Sequence, residues 1–244
     1  MTHKPEKRIV EGSSKAILFI HGIVGTPNHF AEFIKLVPGD VSVYNMLLDG
    51  HGKTAADFGK TSMKKWETQV EAAVSELLAQ HNELFIVAHS MGTLFAIEQA
   101  VKNDRISSLF LMAVPIKLFI KPKMLSNAMK VYFNRIRPDD TIALAAKACY
   151  GIQPDKNPVK YFGWLPRYLE LFSKIRKTRN ILPDLKTKCT AYQSACDEMV
   201  SKKAIKYLNS NSGMETVALR KSTHYYYEKE DFTFLLSEFE RFIN

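Results

Sequence analysis

The segment Leu84-Phe85-Ile86-Val87-Ala88-His89-Ser90-Met91-Gly92 constrains the fold more than any other part of the chain. Its first five residues are a continuous apolar run, which reads as a β-strand buried on both faces. A helical pattern follows at once and continues through Val101. The joint between them has the form small-x-Ser-x-Gly, with Ala88 before and Gly92 after Ser90. A turn this sharp forces the central serine into a strained backbone conformation, and strand and helix can approach only if the flanking residues are small. Strain lifts the hydroxyl above the sheet edge, where the helix N-terminus favours developing negative charge. Ser90 is therefore the candidate nucleophile.

The rest of the chain supplies the sheet that such a joint needs. Ala16-Ile17-Leu18-Phe19-Ile20 is a second buried run, ending at His21-Gly22, and Ser107 to Val114 is a third. Val41–Tyr44, Thr190–Gln193 and Thr216–Leu219 are shorter strand candidates. Between them, Trp66, Val70, Ala73, Val74 and Leu77 fall at helical spacing, with Ser62 as N-cap. A closing helix from about Asp231 carries the stripe Phe232, Leu235, Leu236, Phe239 and Phe242. Alternating buried strands and helices predict an α/β fold, a mostly parallel sheet flanked by helices.

Residues 115–188 break the alternation; they carry Pro122, Pro138, Pro154, Pro158, Pro166 and Pro183, with short helical patches at Met124–Phe133 and Tyr168–Lys177. They read as a helical cap inserted into a core formed by 1–114 and 189–244, and 244 residues fit one domain with an insertion. The net charge of +9 is concentrated there: the insert has 16 Lys+Arg against 5 Asp+Glu, a net of +11, and the remainder is −2. Charge confined to one module, without zinc-finger spacing, RNP signature or recognition helix, argues against nucleic acid. It suits either a solvated lysine-rich face or attraction of an anionic partner, a lipid surface or a phosphate-bearing acyl carrier. Phe119, Phe133, Phe162, Trp164, Leu165, Leu169 and Phe172 are available to pack the cap or to contact an acyl chain. Cys149, Cys189 and Cys196 lack metal-ligand spacing and read as reduced thiols. The apolar run Ile106 to Ile120 is interrupted by Pro115 and Lys117, and is short of the about 20 residues a membrane span needs. A polar N-terminus without a secretory signal makes the cytoplasm the expected location.

A serine nucleophile needs a base, an acid and an oxyanion site. At a joint of this type the acid and the histidine follow the serine in that order. Asp197 lies just past the strand candidate Thr190–Gln193, and His224 just past Thr216–Leu219. His224 would take the Ser90 proton, and Asp197 would fix the imidazole tautomer. Glu198 is a rival acid next door; Asp197 is preferred because its shorter side chain matches the usual acid of this arrangement. The loop His21-Gly22-Ile23-Val24-Gly25-Thr26-Pro27 can present the Ile23 amide to an oxyanion, with the Met91 amide as second donor. His21 is expected to brace that loop, His51 a turn, and His89 to pack or hydrogen-bond locally. His3, His29 and His81 carry no functional signal.

Taken together, these residues resemble the α/β-hydrolase superfamily, and within it the compact bacterial carboxylesterases and monoacylglycerol lipases. The matching pieces are Leu18–Pro27, Gly50-His51-Gly52, Ala88–Gly92, Ala113-Val114-Pro115, Asp197–Val200 and Ser222-Thr223-His224. The chain departs from the family pattern at Thr223 and at Ser194-Ala195, where glycines are usual. The resemblance implies hydrolysis of short- to medium-chain acyl esters, including monoacylglycerols, through an acyl-enzyme with no metal or cofactor. It also implies a cap that lines the acyl pocket and a shortened first part of the sheet. A thioesterase for coenzyme A or carrier-protein thioesters is one alternative, and a non-catalytic small-molecule binder is another. Ser90 excludes the dehalogenase and epoxide hydrolase variants, which need a carboxylate at the elbow.

Overall fold

The computed structural model describes residues 3–211 and 213–244. Within these, seven strands form one sheet: β1 (Glu6–Arg8), β2 (Lys15–Ile20), β3 (Ser42–Asn45), β4 (Glu83–His89), β5 (Ile106–Met112), β6 (Lys188–Ser194) and β7 (Met214–Leu219). Their order is β1-β3-β2-β4-β5-β6-β7. Only the three-residue edge strand β1 is antiparallel; every other pairing is parallel. The helices are α1 (Ala31–Ile34), α2 (Ala55–Lys60), α3 (Met63–Gln80), α4 (Met91–Lys102), α5 (Pro122–Tyr132), α6 (Thr141–Cys149), α7 (Trp164–Ile181), α8 (Ala204–Leu208) and α9 (Lys229–Ile243).

Successive side chains of β2 show why the central strands are apolar throughout. Ala16, Leu18 and Ile20 pack into a cluster with Trp66 and Val70 of α3, Leu94 and Ile97 of α4, and Leu171 and Ile175 of α7. Ile17 and Phe19 point the other way, into a cluster with Phe33 of α1 and Leu235 and Phe239 of α9. A parallel sheet covered on both faces leaves no solvent side on which to place polar residues. The expected N-cap of α3 is present, with Ser62 Oγ accepting from the Lys65 amide at 3.1 Å.

Three helices lack the apolar stripe that sequence reading relies on. α2, α6 and α8 are short, and α6 buries only Ala143. Two of them are set by their caps: Thr54 and Asp57 form a reciprocal capping box at α2, and Asp140 accepts from the Ala143 amide at 3.1 Å at α6.

Helix α7 is longer than its sequence pattern predicts, and its C-terminal half packs on α3 and α4. Lys174, only 3% exposed, lies between Glu67 (2.9 Å) and Glu98. Arg167 forks onto Glu170 and donates to the Gly59 carbonyl at 3.0 Å. Lys174 is thus buried in ion pairs with α3 and α4, and Arg167 is buried between Glu170 of its own helix and the Gly59 and Thr61 carbonyls, so part of the positive charge of 115–188 is not a solvated face. β6 begins at Lys188, one residue inside that segment.

The joint between β4 and α4 is as tight as its pattern requires. Ser90 has φ 51° and ψ −124°. A Cβ on Gly92 would stand 2.2 Å from the Ile20 carbonyl oxygen and 2.8 Å from that of His21. No side chain fits there without driving α4 away from the end of β2. Gly92→Ala is expected to cost about 3 kcal/mol, the upper part of the range for overpacking, read as a fall in the thermal midpoint. An unchanged midpoint would contradict this packing.

Candidate active site

The parallel strands place the loops that follow β4, β6 and β7 at one end of the sheet, the usual location of sites in such folds. Ser90 is anchored by its amide, which donates to the Met112 carbonyl at 2.9 Å, and by its carbonyl, which accepts from the Thr93 amide and hydroxyl at 2.9 and 2.6 Å. Asp197 follows β6 and His224 follows β7. The three side chains meet although far apart in sequence: His224 Nε2 is 3.1 Å from Ser90 Oγ, and His224 Nδ1 is 2.9 Å from Asp197 Oδ2. With Nδ1–H donating to the carboxylate, Nε2 carries the lone pair that accepts from the serine hydroxyl.

Asp197 is held from behind. Its Oδ1 accepts from the amides of Met199 and Val200, both at 2.7 Å. Burial alone would raise its pKa, but the His224 charge and hydrogen bond, with those two amides, hold it below the ordinary carboxylate value. Burial likewise pushes His224 down, and the Asp197 charge and hydrogen bond, with the Glu198 charge, more than offset that and leave it above 6.5. Glu198 does not face the imidazole. Its Oε2 accepts from the His224 amide at 3.0 Å, while His89 Nε2–H donates to the His224 carbonyl at 3.0 Å. Both ends of the His224 backbone unit are thus fixed by side chains. The residues that depart from the family pattern are accommodated: Thr223 Oγ1 accepts from the Tyr226 amide at 3.1 Å, and the Ser194 carbonyl accepts from the Asp197 amide at 3.2 Å.

The loop after β2 carries Ile23. His21 braces it, donating from Nδ1 to the Gly22 carbonyl at 2.9 Å and accepting at Nε2 from the Leu48 amide at 3.1 Å. The Gly25 amide closes the turn onto the Gly22 carbonyl at 3.0 Å. Val24, β-branched yet at φ 51°, is strained there. Its carbonyl accepts from the Gly151 amide at 2.7 Å, and a Cβ on Gly151 would lie 2.1 Å from the Gly25 carbonyl oxygen. The segment between β5 and β6 therefore buttresses this loop, a contact no local pattern signals. Among the described residues, neither the Ile23 nor the Met91 amide has a backbone acceptor.

Ser90, His224 and Ile23 open into a cavity of about 440 Å³. Its remaining wall is mostly apolar, with Leu118, Met124, Val131, Trp164, Leu171 and Phe172 among the lining residues. Of the seven residues that the sequence offered for packing or acyl contact, Trp164 and Phe172 line it, while Phe119, Phe133, Phe162, Leu165 and Leu169 are exposed and outside it. No group of three or more His, Cys, Asp or Glu among the described residues is arranged to hold a metal ion.

A histidine cluster backs the site. His89 packs against His29 (ring centroids 4.0 Å apart) and His224 (4.8 Å), and His29 Nδ1 is 3.3 Å from Cys149 Sγ. His21 and His51 meet edge to face at 4.7 Å. Burial, reinforced by the neighbouring imidazoles, lowers His21 to about 4 and His29 to about 3, and lowers His51 and His89 as well.

A doubly wound parallel sheet, a strained serine at a strand–helix joint, and a histidine and aspartate aligned on it define an α/β hydrolase of the serine type. The chain belongs to the family described as Hydrolase_4, "Serine aminopeptidase, S33", whose model matches residues 12–226. No curated protein sequence is significantly similar to it. Among solved structures it is similar to one from the study of the metagenome-derived lipolytic enzymes LipS and LipT, with TM-score 0.76 and 19% identity over 99% of this chain and 97% of that one. It is also similar to a soluble variant of monoglyceride lipase from Saccharomyces cerevisiae (TM-score 0.70, 16% identity, 98% and 90% covered). The monoacylglycerol lipase of Paleococcus ferrophilus matches at TM-score 0.67 and 16% identity, with 98% of each chain covered. At these identities the likeness is one of fold.

The depression of the four buried histidines His21, His29, His51 and His89 has a consequence for stability. In the unfolded chain they take up protons near pH 6.5, whereas in the folded chain they remain neutral well below it. The unfolded state therefore binds more protons below 6.5, and stability falls as the pH is lowered toward 4. His224, raised instead, opposes this as one group against four. Thermal melting at pH 5 is expected to occur below that at pH 7.5; an equal or higher midpoint would contradict the assignment of neutral buried imidazoles.

Proposed function

We propose that the protein is a serine carboxylic-ester hydrolase that acts through an acyl-enzyme. The observation that carries this is the hydrogen-bond chain Asp197–His224–Ser90, at 2.9 and 3.1 Å, at the mouth of an apolar cavity. In the reaction, Ser90 Oγ attacks the ester carbonyl as His224 Nε2 takes its proton, and the Ile23 and Met91 amides hold the oxyanion. Collapse expels the alcohol, which receives the proton from His224. Water, activated by the same imidazole, then releases the acid and restores Ser90. Asp197 stays ionised and holds the imidazolium in place.

A largely apolar cavity of about 440 Å³ suits the acyl chain of a short- to medium-chain ester, including a monoacylglycerol. The lipolytic activities named for similar structures support the same reading. Residues 115–188 serve as the cap in this account. A cytoplasmic location belongs to it too, supported by three unpaired cysteines; no helix among the described residues is long and apolar enough to cross a membrane.

The cap is also proposed to rest on an anionic lipid surface. Phe119, Ile120, Leu125 and Met129 are exposed on and just before α5, the helix that also lines the cavity, and the segment is strongly basic. Co-sedimentation with phosphatidylglycerol vesicles, weakened by Leu125→Asp and by salt, is expected; equal binding to phosphatidylcholine vesicles would remove the anionic preference.

Hydrolysis of p-nitrophenyl esters of graded chain length tests the reaction. Ser90→Ala is expected to lower kcat by at least about 10⁴-fold, and Asp197→Asn by about as much. The acid limb of kcat/KM should have its midpoint above 6.5, because His224 must be neutral to accept the serine proton and its pKa is raised. Undiminished turnover in Ser90→Ala would remove the serine from the mechanism. Thioester hydrolysis far exceeding ester hydrolysis would move the substrate to the thioester class.

A further inference from the structure

Four residues lining the cavity are both polar and buried: Ser90, Asn127, Glu198 and His224. Three of them are engaged with one another, Ser90 with the His224 imidazole and Glu198 with the His224 amide. Asn127 is the exception. It lies on α5, is 5% exposed, and its Nδ2 has no hydrogen-bond partner among the described residues. Its neighbours one turn away on the same face, Met124 and Val131, and the adjacent Ala128 are apolar and line the same cavity. The fold therefore does not satisfy this Nδ2 itself. A buried donor without a partner destabilises the fold, and an aliphatic side chain of similar size would continue the wall without that cost.

We propose that Asn127 is a specificity-determining residue that hydrogen-bonds a hydroxyl carried by the substrate in addition to its ester. A carboxamide is two-ended, with N–H donors on one side and a carbonyl acceptor on the other, and a half-turn about its last bond exchanges them. A hydroxyl both donates and accepts, so it satisfies either end. A hydrocarbon satisfies neither. The site thereby favours hydroxylated substrates over their deoxy counterparts and penalises the latter. The hydroxyl comes either from a polyol alcohol or from a hydroxylated acyl chain; the chemistry recognised is the same. The proposal rests on the ester-hydrolase reading for the identity of the ligand, but its test needs no turnover.

Trp164 lines the cavity and reports occupancy through its fluorescence. Two matched pairs are titrated into the protein and into Asn127→Leu: 1-O-hexylglycerol against hexyl propyl ether, and 3-hydroxyoctanoic acid against octanoic acid. In the wild type the hydroxylated member of at least one pair is expected to bind about tenfold more tightly than its deoxy partner. In Asn127→Leu the two members should bind alike. The pair that discriminates identifies which half of the substrate carries the hydroxyl. Asn127→Leu is also expected to melt no lower than the wild type, because it removes an unpaired buried donor; if it does not fold, Asn127→Ala provides the same comparison. Wild-type protein that distinguishes neither pair, or a variant that retains the discrimination, overturns the proposal. Failure of ester hydrolysis with discrimination intact would overturn the ester reading and leave the hydroxyl subsite standing.

Discussion

The contact between Gly92 and the Ile20 carbonyl is the constraint on which the rest of the site depends. Because no side chain stands between them, α4 starts directly against the end of β2, and Ser90 is left at φ 51° with its hydroxyl clear of the sheet. The same approach brings Ser90 against Gly22 of the loop that carries Ile23, where a Cβ on Gly22 would stand 2.9 Å from the Ser90 Cβ. One steric condition thus sets the nucleophile's position and that of the loop beside it together. The strain at Ser90 is sustained by the buried clusters on both faces of the sheet, which hold β2, β4 and α4 in place.

The imidazole is placed by a second set of contacts, made by the loops after β6 and β7. Asp197 aligns the ring, Glu198 holds the amide of His224, and His89, which immediately precedes the nucleophile, holds its carbonyl. The acid loop is in turn tied to the start of the 115–188 segment. The Phe119 and Lys121 amides donate to the Met199 and Glu198 carbonyls at 2.9 and 2.8 Å, and Lys121 Nζ donates to the Asp197 carbonyl at 2.6 Å. With Gly151 buttressing the Ile23 loop from the other side, that segment touches both halves of the site. Movement of α5 or α6 would therefore be felt at Asp197 and at Ile23 alike.

Much of this was legible in the sequence, for physical reasons that differ by residue. The central strands announce themselves because burial on both faces leaves no polar positions, and α3 because its stripe repeats at helical spacing. The elbow is readable because steric necessity restricts the residues around Ser90. Glu198 against Asp197 was not decidable, since adjacent carboxylates are distinguished only by which way the turn after β6 points them. Gly151, His29 and Asn127 carried no signal: Gly151 meets Val24, His29 meets His89 and Cys149, all far off in the sequence, while the Asn127 Nδ2 has no partner among the described residues, and no local spacing encodes either condition. The charge of 115–188 was countable, but the burial of Lys174 between Glu67 and Glu98, and of Arg167 against the Gly59 and Thr61 carbonyls, depends on how α7 lies across the elements beneath it.

The central claim is that Ser90 is a nucleophile activated by His224. Its most direct test is the reaction of the folded protein with a fluorophosphonate, followed by mass spectrometry of the digested chain. The account predicts one covalent adduct, on the peptide containing Ser90, formed rapidly in the wild type and far more slowly in His224→Ala. Folded wild-type protein that acquires no adduct, or acquires it on another residue, would contradict it.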